Sequence, residues 1–126
     1  MIVGIGIDIV EVARMATALA RGRGRLLERV FTEAERNDAR GPREVESLAA
    51  RFAAKEAALK AIGTGWSGGI AWRDLEVVRE ASGKVRLEVS GEAARVARAR
   101  GAIRTHLSLS HHGGMAAAIV VLEGGP

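Results

Sequence analysis

The sequence predicts an α+β fold in which antiparallel sheet packs against one long helix, and three observations carry that expectation. Residues Ile2–Val10 alternate with the period of a strand. The stretch from Pro42 to Ile62 repeats apolar residues at helical spacing over a length no strand reaches. Two pairs of strand-like segments flank the tight-turn signals Ser82-Gly83 and Gly113-Gly114, so antiparallel pairings outnumber any strand–helix–strand pattern. At 126 residues, one core and one domain, residues 1–126, are expected.

Along the first strand, Val3, Ile5, Ile7 and Ile9 share one face, and Gly4, Gly6 and Asp8 share the other. The two glycines leave room for a backbone or a ligand to approach closely. From about Glu11 to Arg21 the period becomes helical, with Val12, Met15, Ala16 and Leu19 on one stripe. Arg14, Arg21 and Arg25 recur at i, i+7 and i+11 on another face, and Gly22 and Gly24 mark a break between two helices. Thr32 and Glu35 have the spacing of a capping box that opens a further helix. Gly41-Pro42 ends that turn, Pro42 suits the first turn of the long helix, and Gly63 suits its C-terminal cap. Leu48, Phe52, Leu59 and Ile62 give the long helix its core stripe. Strands at Leu75–Arg79 and Val85–Val89, a helix at Glu92–Arg100, and strands at Ile103–Ser110 and Met115–Leu122 complete the chain.

Hydrophobic residues make up 48% of the chain and aromatics 3%, with no tyrosine, so the core must be built from Val, Ile, Leu and Ala. The absence of cysteine excludes disulfides, thiolate metal sites and cysteine nucleophiles. The apolar run Met1–Ile9 has no basic leader, contains Asp8 and is too short to cross a bilayer, so the expected compartment is cytoplasmic, with no membrane association. A net charge of +4 and a pI near 10.6 favour a polyanionic partner: a nucleic acid, a phosphorylated small molecule or an acidic protein. The shortage of aromatic rings weighs against single-strand binding by base stacking.

Glu56 and Lys60 stand four apart and project from neighbouring turns of one helix face. By themselves they read as a surface ion pair. Asp8 alters that reading, because a carboxylate near the end of an apolar strand needs a partner. Asp8 suits the N-cap of the following helix, or it meets Glu56 if the strand packs on the long helix. Two carboxylates with a nearby lysine suit Mg²⁺ held largely by water and substrate phosphates.

Three blocks resemble the signatures of bacterial holo-acyl-carrier-protein synthases, which belong to the 4′-phosphopantetheinyl transferases. They are Gly4-Ile5-Gly6-Ile7-Asp8-Ile9-Val10-Glu11; Arg51-Phe52-Ala53-Ala54-Lys55-Glu56, continuing through Lys60 to Gly63-Thr64-Gly65; and Leu107-Ser108-Leu109-Ser110-His111. The resemblance runs the length of the chain, in order. It implies the 4′-phosphopantetheinyl transferase fold and transfer of phosphopantetheine from coenzyme A to a serine of an acidic acyl carrier protein, serving fatty acid biosynthesis. Asp8 and Glu56 match the family's Mg²⁺ ligands, and Lys60 matches the lysine that contacts the coenzyme A pyrophosphate. Gly63, Thr64, Gly65 and His111 match positions near the coenzyme. Arg14 and Arg21 match basic positions that receive the carrier, with Arg23 and Arg25 added here as an extension. A homotrimer with active sites at subunit interfaces is also implied.

On this reading Asp8, Glu56 and Lys60 are the catalytic set. Glu56 removes the serine proton, directly or through water, and Lys60 stabilises the charge of the departing adenosine 3′,5′-bisphosphate. His112 has no matching role. Gly113-Gly114 reads as a hairpin turn, because no helix follows it as a phosphate loop requires. Ser67-Gly68-Gly69 is a weak phosphate motif for the same reason. A nucleic-acid binder using the stripes Arg14–Arg29 and Arg95–Arg104 is the first competing reading, but Asp8 and Glu56 would repel phosphate without a metal. A different Mg²⁺–nucleotide enzyme is the second, and the chain lacks the P-loop that many such enzymes use.

Overall fold

A computed structural model describes residues 1–22, 24–65 and 69–126. Strand β1 (Ile2–Glu11) leads into helix α1 (Val12–Gly22), then short helices α2 (Arg25–Val30) and α3 (Glu33–Ala39) and the long helix α4 (Glu44–Ile62). A 3₁₀ turn at Trp72–Asp74 precedes the hairpin β2 (Leu75–Arg79) and β3 (Val85–Val89). Helix α5 (Gly91–Ala99) and the hairpin β4 (Ala102–His112) and β5 (Met115–Gly124) follow. Three strands form one antiparallel sheet in the order β1-β5-β4, and β2 and β3 form a second. The β2–β3 and β4–β5 pairings are those read from the turn signals. At the β4–β5 turn Gly113 and Gly114 both take positive φ, 58° and 78°, as a two-residue hairpin connection demands.

The larger sheet packs on α4 through its smallest residues. A Cβ built on Gly6 would lie 1.9 Å from the Ala57 carbonyl oxygen, and one on Gly4 would lie 2.2 Å from that of Ala61. Glycine on the strand and alanine on the helix let the two backbones touch, which is the close approach the glycines imply. The isoleucines therefore face away from the core: Ile5, Ile7 and Ile9 are 60%, 59% and 60% exposed. Val3 departs from the expected alternation. A register shift between Ile2 and Gly4 turns it inward, where it packs against the core.

Helix α4 is wrapped on nearly every side. Beyond the expected stripe, Ala49, Ala53, Ala54, Ala57 and Ala58 are also buried, whereas Phe52 is half-buried and stacks on Trp72 with ring centroids 5.1 Å apart. Pro42 lies in the turn before α4, where Arg43 is the N-cap, so the helix starts two residues later than the proline signal implies. Gly63 does cap the C-terminus, at φ 87°, its N–H donating to the Leu59 carbonyl at 2.8 Å. On α1, Met15 is buried and Val12 and Leu19 are half-buried, but Ala16 is exposed, so the buried stripe is narrower than its periodicity implies.

The capping box forms as expected: Thr32 N–H donates to Glu35 Oε1 at 3.0 Å, and Glu35 N–H donates to Thr32 Oγ1 at 3.1 Å. Glu35 also reaches inward. Its fully buried carboxylate accepts from Lys55 Nζ at 2.8 Å and from the Val77 N–H at 3.0 Å. Lys55, likewise fully buried, donates further to the carbonyls of Trp72, at 3.2 Å, and Leu75. Burial pushes the Lys55 ammonium below the ordinary lysine value, and the Glu35 carboxylate opposes that shift.

Two substitutions test this packing. Gly6→Ala should destabilise the fold by about 3 kcal/mol in urea unfolding, because the methyl group meets a helix carbonyl rather than a movable side chain. Lys55→Met should cost about 3–5 kcal/mol by stranding Glu35, and adding Glu35→Gln should recover much of that loss. A single substitution that leaves the unfolding midpoint unchanged would contradict the corresponding contact.

Candidate active site at the strand–helix crossing

Asp8 follows Gly6 on the inner face of β1, and its side chain emerges where the strand crosses α4. Lys60, one helical turn beyond Glu56, reaches across this crossing. Its Nζ donates to the Ile7 carbonyl at 2.9 Å and to Asp8 Oδ1 at 3.1 Å. The lysine's ion pair is thus with the strand carboxylate. The Asp8 side chain keeps 19% of its surface exposed and that of Lys60 keeps 55%.

Two clefts meet at Glu56. The larger, about 490 Å³, is lined by Asp8, Glu11, Arg14, Phe52, Glu56 and Met115 together with apolar residues of β1 and α1. The smaller, about 330 Å³, is lined by Glu56, Leu59, Lys60, Gly63 and Gly65. Between the two lining glycines, the Thr64 hydroxyl donates to the Gly65 carbonyl at 3.0 Å. A Cβ on Gly63 would lie 2.8 Å from Arg100 Nη1, so a further guanidinium borders that end of α4. Nothing in the spacing of the α5 arginines marks it.

Among the described residues, no three His, Asp or Glu side chains converge as a metal cage. The cleft instead carries the carboxylates of Asp8 and Glu56, with that of Glu11 also on its lining. Hard oxygen donors of this number suit a cation that keeps water and substrate oxygens as its other ligands. The Lys60 ammonium against Asp8 shows that this carboxylate already attracts positive charge.

Arg14 lines the larger cleft, while Arg21 and Arg25 are exposed at the end of α1 and the start of α2. Gly24, at φ 88°, separates these helices, so Arg25 belongs to a second helix and the i+11 relation does not describe one helical face. Arg23, Ser67 and Gly68 lie outside the described residues.

His111 stands elsewhere on its own chain. It pairs with Ala116 on β5, which pairs in turn with Val10, so His111 lies two strand spacings, about 10 Å, across the sheet from β1. It does not line the Asp8–Glu56 cleft. Its Nδ1 is 3.5 Å from Glu46 Oε2, and it borders a separate cleft of about 350 Å³ with Arg43, Glu46, Arg51 and Arg79. Arg51 is almost wholly buried there and bonds Asp38 and Ser47, and burial holds its guanidinium below the ordinary arginine value. This cationic cleft was missed in the sequence, although Arg43, Ser47 and Arg51 recur every four residues along one side of α4.

The family model described as the 4′-phosphopantetheinyl transferase superfamily matches residues 4–120. A holo-[acyl-carrier-protein] synthase from Salinispora arenicola is 55% identical over 124 residues, covering 98% of this chain and 99% of that protein. One from Clavibacter sepedonicus is 53% identical, covering 98% of each. Among solved structures, a holo-(acyl-carrier-protein) synthase from Bacillus anthracis in complex with CoA (3′,5′-ADP) superposes with a TM-score of 0.80 at 44% identity, covering 99% of both chains. The Neisseria meningitidis holo-[acyl-carrier-protein] synthase superposes at 0.87 with 34% identity, covering 98% of this chain and 99% of that one. With a carboxylate pair and a lysine at the crossing of its first strand and long helix, and with these relatives along its whole length, the chain belongs to the 4′-phosphopantetheinyl transferase superfamily.

Proposed function

We propose that the chain transfers the 4′-phosphopantetheine of coenzyme A to a serine of an apo-acyl carrier protein, releasing adenosine 3′,5′-bisphosphate. The observation that carries this reading is the meeting of two clefts at Glu56, with Asp8 on one and Lys60 on the other. A pyrophosphate and an incoming hydroxyl both need to reach such a point. The serine oxygen forms a bond to the β-phosphorus of coenzyme A. The pyrophosphate P–O bond breaks, and its electron pair leaves with the nucleotide. Glu56 takes the serine proton. Lys60, long and half-exposed, neutralises charge on the pyrophosphate as the bond breaks. Mg²⁺, held by Asp8 and Glu56, supplies further neutralisation of the pyrophosphate when bound. The work of the protein is positioning and electrostatics, with no covalent enzyme intermediate.

The separation of His111 from this cleft supports a composite site. A homotrimer would cover the exposed face of Ile5, Ile7 and Ile9 and set the His111 cleft of one subunit against the Asp8–Glu56 cleft of the next. Arg43, Arg79 and His111 then suit the phosphates at the nucleotide end of coenzyme A. Arg14, Arg21 and Arg25 present positive charge on α1 and α2 to an acidic carrier helix. Residues 1–126 act as one transferase domain, in the cytoplasm and in fatty acid biosynthesis. Among the described residues no helix is long and apolar enough to cross a membrane. Nucleic acid is not the partner on this reading, because the Asp8–Glu56 cleft opposes a bare phosphate backbone.

Incubation of the protein with an apo-acyl carrier protein, coenzyme A and Mg²⁺, read by intact mass, should add one phosphopantetheine to the carrier and none in EDTA. Failure across a panel of carriers would end the transferase reading. Glu56→Gln should lower turnover about 10²–10⁴-fold with an unchanged melting temperature, and wild-type turnover would remove Glu56 from its role. Raising salt from about 50 to 500 mM should lower kcat/KM for the carrier several-fold, and should do so less in an Arg14→Gln/Arg21→Gln variant. A salt-independent rate would exclude electrostatic docking.

A further inference from the structure

The contact between Lys60 and Asp8 gives the lysine a second role. Resting on the proposed transferase reading, we infer that Lys60 is a resident cation on the Asp8 carboxylate that holds the divalent-metal seat closed until a pyrophosphate draws the ammonium away. The Lys60 ammonium donates to Asp8 Oδ1 at 3.1 Å and to the Ile7 carbonyl at 2.9 Å, so it occupies one oxygen of the carboxylate proposed to hold the metal. It is held there from an exposed position. The Lys60 side chain is more than half exposed, and it also borders the smaller cleft with Gly63 and Gly65.

The same ammonium therefore has two anionic partners available from one anchor on α4. One is the strand carboxylate on which it rests, and the other is a phosphate entering the smaller cleft. Rotation about its four-carbon stem suffices to exchange them, with no backbone movement. A divalent ion arriving first must displace Lys60 into water, at a cost in affinity. If the pyrophosphate is already present, Lys60 moves onto phosphate and the carboxylate is released. Metal and coenzyme thus assist each other's binding, and linkage requires the two effects to be equal. The arrangement also answers an electrostatic difficulty, because without Lys60 the carboxylates of Asp8, Glu11 and Glu56 would face an incoming polyanion with Arg14 alone as a cation on their cleft.

The test is a titration of the metal-free, coenzyme-free protein with Mn²⁺, following the loss of the free-ion electron paramagnetic resonance signal. Lys60→Met should bind Mn²⁺ about 10-fold more tightly than wild type. Arg14→Met removes a cation that lines the cleft of Asp8 and Glu56 without resting on Asp8, and it should change the affinity about 2-fold at most. Coenzyme A should tighten Mn²⁺ binding to wild type about 10-fold and to Lys60→Met by much less. Equal or weaker Mn²⁺ binding by Lys60→Met would overturn the inference, as would an equal gain in Arg14→Met, which would mark a general charge effect. Asp8→Asn separates this idea from the reading beneath it. If that change leaves Mn²⁺ binding intact, the metal seat itself is misassigned. If Mn²⁺ responds as expected but no carrier gains mass, the seat stands and the transferase assignment falls.

Discussion

The carbonyl oxygens of Ala57 and Ala61 lie where the side chains of Gly6 and Gly4 would begin, and the placement of the site depends on this approach of two backbones. A strand held at ordinary side-chain distance from α4 would stand farther out by the depth of a methyl layer. Asp8 would then lie beyond the reach that now gives Lys60 a 3.1 Å contact. The glycines therefore act as a distance gauge for the placement of Asp8, two residues later on the same face. Alanine makes the arrangement possible from the other side, since a bulkier residue at position 57 or 61 would push the strand away. A chain with 3% aromatics can still build a dense interior this way, by bringing elements together where a chain richer in large residues fills the space between them.

Four of the six ionisable residues on helix α4 are sent in different directions by the fold. Arg51 turns to Asp38, Lys55 to Glu35, Glu56 to the meeting point of the clefts and Lys60 to the strand. Lys55 and Glu56 are adjacent, and about 100° of helical rotation separates them. Locking one therefore fixes the azimuth of the other. The lock is strong because every proton of the buried ammonium has an acceptor: Glu35, the Trp72 carbonyl and the Leu75 carbonyl. A buried pair of this kind gives little net stability over an apolar pair of equal size, yet it tolerates only one rotation of the helix. That selectivity accounts for so costly a pair standing directly beside a residue whose direction matters.

Local signals made much of the fold legible before any coordinates. The Thr32–Glu35 box, the Gly63 cap and the two hairpin turns are each specified within a few residues, and each formed where its chemistry placed it. Tertiary causes escaped that reading. Alternation along β1 reveals two faces but not which one is buried, and composition favours the isoleucine face over the glycine face that α4 selects. Hydrophobicity likewise exposed only part of α4, since a helix covered on all sides has no single stripe to find. At the site, Asp8, Glu56, Lys60 and the Gly63–Gly65 turn were recoverable because short blocks hold them. The His111 cleft draws on α4, β2, the turn before β3, and β4, elements whose juxtaposition no local pattern encodes.

On the proposed trimeric reading, strand β1 couples the chemistry to assembly. Asp8 points inward between Ile7 and Ile9, which point outward, so the carboxylate and the exposed apolar face belong to the same three residues. Three isoleucines each about 60% exposed on one strand form a surface that water disfavours, with Ile119 of β5 beside Ile7 to extend it. A second copy covering that face would stand within a strand's thickness of Asp8 and would bring a basic cleft toward the carboxylate pair. A site finished by such a neighbour would carry its nucleotide contacts only in the assembled state. The isolated chain would keep the metal seat and the proton acceptor. On the proposed trimeric reading, then, the apolar cost of the outward face and the incompleteness of the inward site have one resolution, set by the two-residue period of a single strand.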